Sequence, residues 1–108
     1  MLRFEWDGAK NRSNKKKHGV DFETAQEVFE DPRCVNFVDR VVGNEQRWIA
    51  IGRAGAVLLI VAHTYFEDAG NETIRMISAR PATVHERKLY AETIDSQEEG
   101  PGGSSKKT

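Results

Sequence analysis

Two arginines and a histidine stand at spacings that antiparallel pairing would turn into neighbours. A turn centred on Ala69 between Val57–Tyr65 and Thr73–Arg80 sets His63 opposite Arg75. A three-residue turn, Ala54-Gly55-Ala56, sets Arg47 opposite His63 as well. Cross-strand neighbours on one face lie about 5 Å apart, so the spacing predicts a row of Arg47, His63 and Arg75. Behind it the same face would carry Ile49, Val61 and Ile77, then Ile51, Leu59 and Ala79. Two guanidinium groups can hold the non-bridging oxygens of a phosphodiester and stabilise the charge of a pentacovalent intermediate, while imidazole moves a proton. RNA brings its own nucleophile, the 2′-hydroxyl, so such a row needs no metal-bound water. A set this cationic is a poor donor set for a metal. A slip of one residue would send His63 to the other face from both arginines. The competing reading of His63 is a satisfied histidine at the end of a buried strand. Arg75 and Arg80 compete as strand-end arginines, solvated or paired with acidic side chains.

The elements that must position this row are short and well punctuated. Met1–Trp6 reads as a strand, and Asp7 as the N-cap of a helix that Gly19 closes. In that helix Lys10, Asn11, Asn14, Lys17 and His18 share one face, where a globular helix normally carries Leu, Ile or Val. Amides, ammonium groups and an imidazole at that spacing imply a polar partner, phosphate or carboxylate; the competing reading is a solvated surface helix, with His18 bonding its last carbonyls. A second helix begins at an Asp21 cap, buries Phe22, Ala25, Val28 and Phe29, and stops at Asp31-Pro32. Four strands follow: Cys34–Val38, Gln46–Arg53, Val57–Tyr65 and Thr73–Arg80, joined by turns at Gly43-Asn44, Ala54-Gly55 and Gly70-Asn71. A last helix runs from Val84 to Ile94, with Thr83 and Glu86 in capping-box spacing. The order β-α-α-β-β-β-β-α predicts an α+β fold, helices packed on an antiparallel sheet.

The chain of 108 residues fits one domain, residues 1–95, followed by a polar tail at 96–108 that reads as flexible. Net charge is −1, but the sum hides a pattern. Residues 1–20 carry six Lys/Arg against two Asp/Glu, residues 21–46 two against seven, and residues 47–91 six against four. A polyanion can bind a local patch built from the first and third blocks, without strong long-range attraction. The single cysteine, Cys34, excludes an internal disulfide and a thiolate zinc cluster, and reads as a small apolar strand residue. No apolar run is long enough to span a bilayer and no signal-type segment opens the chain, which points to a cytoplasmic protein without membrane contact. The three histidines lack metal-ligand spacing, and no glycine-rich phosphate loop is present. His85 reads as surface, and Trp6 and Trp48 as core residues rather than base-stacking platforms.

The same residues carry a family resemblance. The run Phe4-Glu5-Trp6-Asp7, Lys10-Asn11, Asn14, Lys17-His18-Gly19-Val20, Phe22-Glu23, Ala25, Val28-Phe29 and Asp31-Pro32 resembles the opening of the BrnT toxins. The likeness continues through Arg47-Trp48 to Ile51-Gly52, Val61-Ala62-His63-Thr64 and Ile74-Arg75-Met76-Ile77-Ser78-Ala79-Arg80. It implies a RelE-like fold with a curved antiparallel sheet. It implies a metal-independent, cofactor-free endoribonuclease of a type II toxin-antitoxin pair, held inactive by a BrnA-like antitoxin, with DNA reached only through that antitoxin. By position it supports Arg47, His63, Arg75 and Arg80 as catalytic, and Lys10, Lys17 and His18 as RNA-binding. The chain departs from the family in having Tyr65-Phe66 after His63-Thr64 and Pro81 after Arg80, where basic residues are common.

Two other classes compete. One is a catalytically degenerate module that only binds its antitoxin and tunes promoter repression. The other, a metal-dependent nuclease built on Glu27, Glu30 and Asp31, is disfavoured because these read as a helix end. The acidic block Asp21–Glu45 predicts contact with a basic antitoxin segment, alongside the helix Lys10–His18.

Overall fold

The structure is a computed structural model describing the backbone of residues 1–103 and the side chains of residues 1–93. The chain order is β1 (Leu2–Glu5), α1 (Gly8–His18), α2 (Phe22–Ala25), a 3₁₀ turn (Gln26–Glu30), β2 (Val35–Val42), β3 (Glu45–Ala54), β4 (Val57–Asp68), β5 (Asn71–Pro81) and α3 (Val84–Gly103). This is the expected α+β sequence of elements. α3 extends past Ile94, and residues 104–108 of the expected tail lie outside the described residues.

The five strands form one sheet in the order β1-β5-β4-β3-β2. β2 to β5 are antiparallel neighbours, but β1 pairs in parallel with β5, from Leu2 opposite Glu72 to Glu5 opposite Arg75. The sheet is therefore mixed, which corrects the all-antiparallel expectation. Hairpin turns impose antiparallel pairing only on consecutive strands; β1 reaches β5 through the rest of the fold and is free of that constraint.

Asp7 caps α1 by accepting from the backbone N–H groups of Ala9 and Lys10, at 2.8 and 3.2 Å, and Gly19 ends it at φ 75°. The amide stripe on this helix does find a polar partner, and that partner is the protein's own backbone. Asn11 Oδ1 accepts the Phe22 N–H at 2.7 Å, fixing the start of α2. Asn14, buried, donates to the carbonyls of Val20 and Ala79 at 2.8 and 2.7 Å and accepts the Ala79 N–H at 3.1 Å. β1 leaves β5 after Arg75, so the edge of β5 would otherwise present unpaired groups at Ala79. Asn14 completes that edge.

Each face of the sheet has its own cover. On one face Phe22 of α2 and Val28 of the 3₁₀ turn join Ala50, Leu59, Val61 and Met76 of the sheet, while on the other Tyr90 of α3 joins Ile51 and Ile60. Trp6 packs edge-on to Phe22 with ring centroids 5.9 Å apart, a core role as expected. A Cβ on Gly52 would stand 2.8 Å from Val28 Cγ1, so glycine is what lets the 3₁₀ turn approach β3. Asp31 ties three parts together: its carboxylate accepts from the N–H groups of Arg33 and Arg53, both at 2.9 Å, and from the Tyr90 hydroxyl at 2.7 Å.

Register is where expectation and structure part. Both central hairpins close with two-residue turns, Gly55-Ala56 and Ala69-Gly70, so Ala54 faces Val57 and Asp68 faces Asn71. Gly55 at φ 63° suits a turn that needs a left-handed first residue; Ala69 at φ 51° and Gly70 at φ 84° suit one that needs two. His63 consequently faces Trp48 and Met76, not Arg47 and Arg75. A bulge between Ala62 and His63 shifts the β4–β5 ladder by a further residue beyond it. Because side chains alternate, this displacement puts His63 on the face of α1 and α2, and Arg47 and Arg75 on the face of α3. The predicted Arg47-His63-Arg75 row does not form. Ile49 and Ile51 likewise lie on the opposite face from Val61, Leu59 and Ala79, and each face is apolar because each is covered.

Candidate functional site

β4 has twelve residues and so spans about 40 Å. The helices cover only the half of the sheet that holds Leu59, Ile60 and Val61. Beyond His63 and Thr64, which are both buried, the two faces open at Tyr65 and Phe66, and their chemistry differs.

On the α3 side, Arg75 faces Thr64 directly across β4–β5. Arg75 thus has Thr64, a buried residue, in the place expected for the histidine, and alternation along β3 puts Arg47 on the same sheet face, beyond the last paired residues Trp48 and His63. Arg75 and Thr64 border a groove of about 550 Å³ whose other walls include Arg3, Glu5, Glu45, Phe66 and Asp68. Each arginine has a loose carboxylate companion: Glu5 Oε2 is 3.8 Å from Arg75 Nη1, and Glu45 Oε1 is 3.9 Å from Arg47 Nε. Neither distance is a hydrogen bond. Arg47 Nε is shielded from solvent and makes no hydrogen bond among the described residues, with Glu45 Oε1 as its neighbour. Phe66 is 65% exposed at the mouth.

The remaining expected site residues separate into three places. Arg80 is committed to α3: its guanidinium forks onto Glu86 with bonds of 2.8 and 2.7 Å, and Arg80 holds the Glu86 carboxyl down to about 2. Glu86 also closes the expected capping box with Thr83, so Arg80 anchors a helix rather than joining the arginine row. Lys10, Lys17 and His18 border one shallow depression of about 200 Å³ between α1 and the β5 residues Ile77 and Ser78. His63 is 3% exposed, its ring edge-on to Phe29 at 4.9 Å and its Nδ1 3.2 Å from the Val61 carbonyl. Burial pushes its imidazole below the ordinary 6.5, towards the neutral form.

Thr64, Glu5 and Glu45 were missed by sequence reasoning. Thr64 and Glu45 follow from side-chain alternation once the turns are known to hold two residues; Glu5 follows only from the parallel pairing of β1 with β5. Among the described residues no group of three or more His, Cys, Asp or Glu is placed to hold a metal ion. Cys34 is half-buried and its thiol is pushed up to about 11 by burial, which fits a packing role. No helix among the described residues is long and apolar enough to cross a membrane.

The fold is a mixed α+β domain with Arg75 on one face of its sheet and an apolar cleft on the other. Comparison with protein families makes the class specific: residues 6–86 match the family described as the ribonuclease toxin BrnT of type II toxin-antitoxin systems. The match covers most of the chain, which therefore belongs to the BrnT family. None of the curated proteins compared with the chain matches it.

Proposed function

We propose that this BrnT-family chain is a metal-independent endoribonuclease that cuts RNA on the open sheet face holding Arg47, Thr64 and Arg75. The observation that supports it is Arg75 facing Thr64 across β4–β5 beside a groove that also holds Arg3, Glu5, Glu45 and Asp68, with Arg47 on the same sheet face. Arg47 and Arg75 hold the non-bridging oxygens of the scissile phosphate, which gives Arg47 Nε an acceptor. Glu5 takes the proton of the 2′-hydroxyl. The 2′-oxygen then bonds to phosphorus, the bond to the 5′-oxygen breaks, and that oxygen leaves as a hydroxyl with a proton from solvent water, while Glu5 returns its proton to solvent. The products are a 2′,3′-cyclic phosphate and a 5′-hydroxyl, with no cofactor consumed. Phe66 offers a stacking surface for a base, and Lys10, Lys17 and His18 hold phosphates further along the strand. The arrangement is read as RelE-like, acting in the cytoplasm and restrained by a BrnA-like antitoxin that supplies any contact with DNA.

The test is incubation of the purified chain with RNA in EDTA and chemical analysis of the ends. Cyclic phosphate termini are expected, and cleavage that requires Mg²⁺ counts against the reading. The alternative, a module that only binds its antitoxin, draws support from two of the four expected catalytic residues lying elsewhere: Arg80 is held by Glu86, and His63 is on the opposite face. It predicts no cleavage at any enzyme concentration.

A further inference from the structure

The open half of the other face, on the side of α1 and α2, is built for a different visitor. Here β3, β4 and β5 frame a cleft of about 360 Å³ with Phe29, Trp48, His63, Tyr65 and Ile74 in its walls and Leu2 at its rim. Apolar groups stand open around it: Leu2 is 41% exposed, Tyr65 44%, and Val38, which faces Trp48 on the neighbouring strand, 48%. His63 is buried in the wall with Nδ1 3.2 Å from the Val61 carbonyl of its own strand, so the tautomer that donates there keeps Nε2 as the ring's acceptor. Beside the cleft Glu67 and Glu72 face each other directly across β4–β5. Two like charges so placed repel, and only one of them has a bond, the Tyr65 hydroxyl on Glu72 at 2.6 Å.

We propose that this cleft is where the antitoxin docks, through a segment carrying an aromatic side chain with its own N–H or O–H and, close by, a lysine or arginine. The ring fills the space between Phe29 and Trp48 and donates to His63 Nε2. The cation lies between Glu67 and Glu72 and relieves their repulsion. The occupant is a protein rather than RNA because the rim is apolar and anionic, which a phosphate backbone would avoid. This inference rests on the toxin-antitoxin reading of the family, which requires a partner, and not on catalysis. It also places the antitoxin on the back of the arginine face, so that inhibition comes from the rest of the antitoxin wrapping round, or from distortion of β4.

The experiment is calorimetric titration of the full chain with the purified product of the reading frame adjacent to its gene. The exposed double variant Leu2→Glu/Val38→Glu should weaken binding by about 100-fold, the loss typical of disrupting an anchor at an interface centre. Glu67→Lys/Glu72→Lys should weaken it by about 10-fold, and Arg75→Ala, on the other face, should leave it within about 3-fold. Circular dichroism and thermal unfolding of the same samples should match the wild type, which shows that the two cleft variants are folded, and their RNA cleavage, read separately, should also match. Wild-type affinity in the cleft variants, loss of binding in Arg75→Ala, or no binding by the wild-type chain would overturn the proposal. So would a homodimer of the chain alone that Leu2→Glu/Val38→Glu dissociates, or loss of RNA binding in that variant with partner binding intact. Loss of cleavage with partner binding as predicted would instead count against the nuclease reading alone.

Discussion

Asn14 and Lys10 occupy the same polar stripe of α1 and do opposite things. Asn14 makes three hydrogen bonds in a buried position, two of them to Ala79 at an edge that has no strand to pair with. Asn14→Ala leaves those backbone groups unpaired and should cost about 1–3 kcal/mol, the desolvation penalty of buried polar groups. Lys10→Ala, at an exposed position, should change stability by less than about 0.5 kcal/mol; urea denaturation of both variants checks the contrast. His63 gives a second test at this scale. Its lowered folded-state pKa means that the unfolded chain takes up this proton first as pH falls below 6.5. The contribution of neutral His63 is thus intact above 6.5 and lost as pH falls towards the folded value, so His63→Gln should flatten the slope of stability against pH in that window. A parallel slope in wild type and variant would mean that His63 titrates as freely folded as unfolded.

Elements were legible where a residue type has one local job. Asp7, Gly19, Asp21 and the Thr83/Glu86 pair marked helix ends that the structure keeps, and alternation marked the strands. The register was not legible, because turn length decides it and the sequence offered a misleading cue: Ala69 adopts the left-handed conformation usually left to glycine or asparagine. The bulge after Ala62 and the parallel pairing of β1 have no local signature at all. The candidate site inherited that error, since the residue facing Arg75 is Thr64 and not His63, and Arg80 was lost to a separate contact, its fork onto Glu86. The acidic block shows the same limit. Asp21 caps α2 and Asp31 binds three donors, so these carboxylates are spent inside the fold rather than offered to a partner. Charge reversal at Asp31 would report on folding, not on docking. The attachment of α3 is testable through Glu86. Its carboxyl, held down to about 2 by Arg80 against an ordinary 4.5, contributes stability that is full above 4.5 and is lost as pH falls towards 2. Glu86→Gln should lower stability at neutral pH and remove part of the acid sensitivity in that interval, as followed by circular dichroism.

At the scale of the whole molecule, a sheet longer than its helices leaves two open half-faces back to back. One carries Arg47, Thr64 and Arg75, the other Trp48, Tyr65 and His63. The net charge of −1 gives little long-range attraction for RNA, so phosphate recognition must be local to the first of these faces. Single-turnover cleavage of RNA in EDTA, comparing wild type with Arg75→Ala and Arg75→Lys, bears on that assignment most directly. The account predicts 2′,3′-cyclic phosphate ends, a loss of about 10²-fold or more in Arg75→Ala, and incomplete rescue in Arg75→Lys because an ammonium lacks the two-pronged guanidinium geometry. Undiminished cleavage by Arg75→Ala, or cleavage abolished by EDTA, would contradict it.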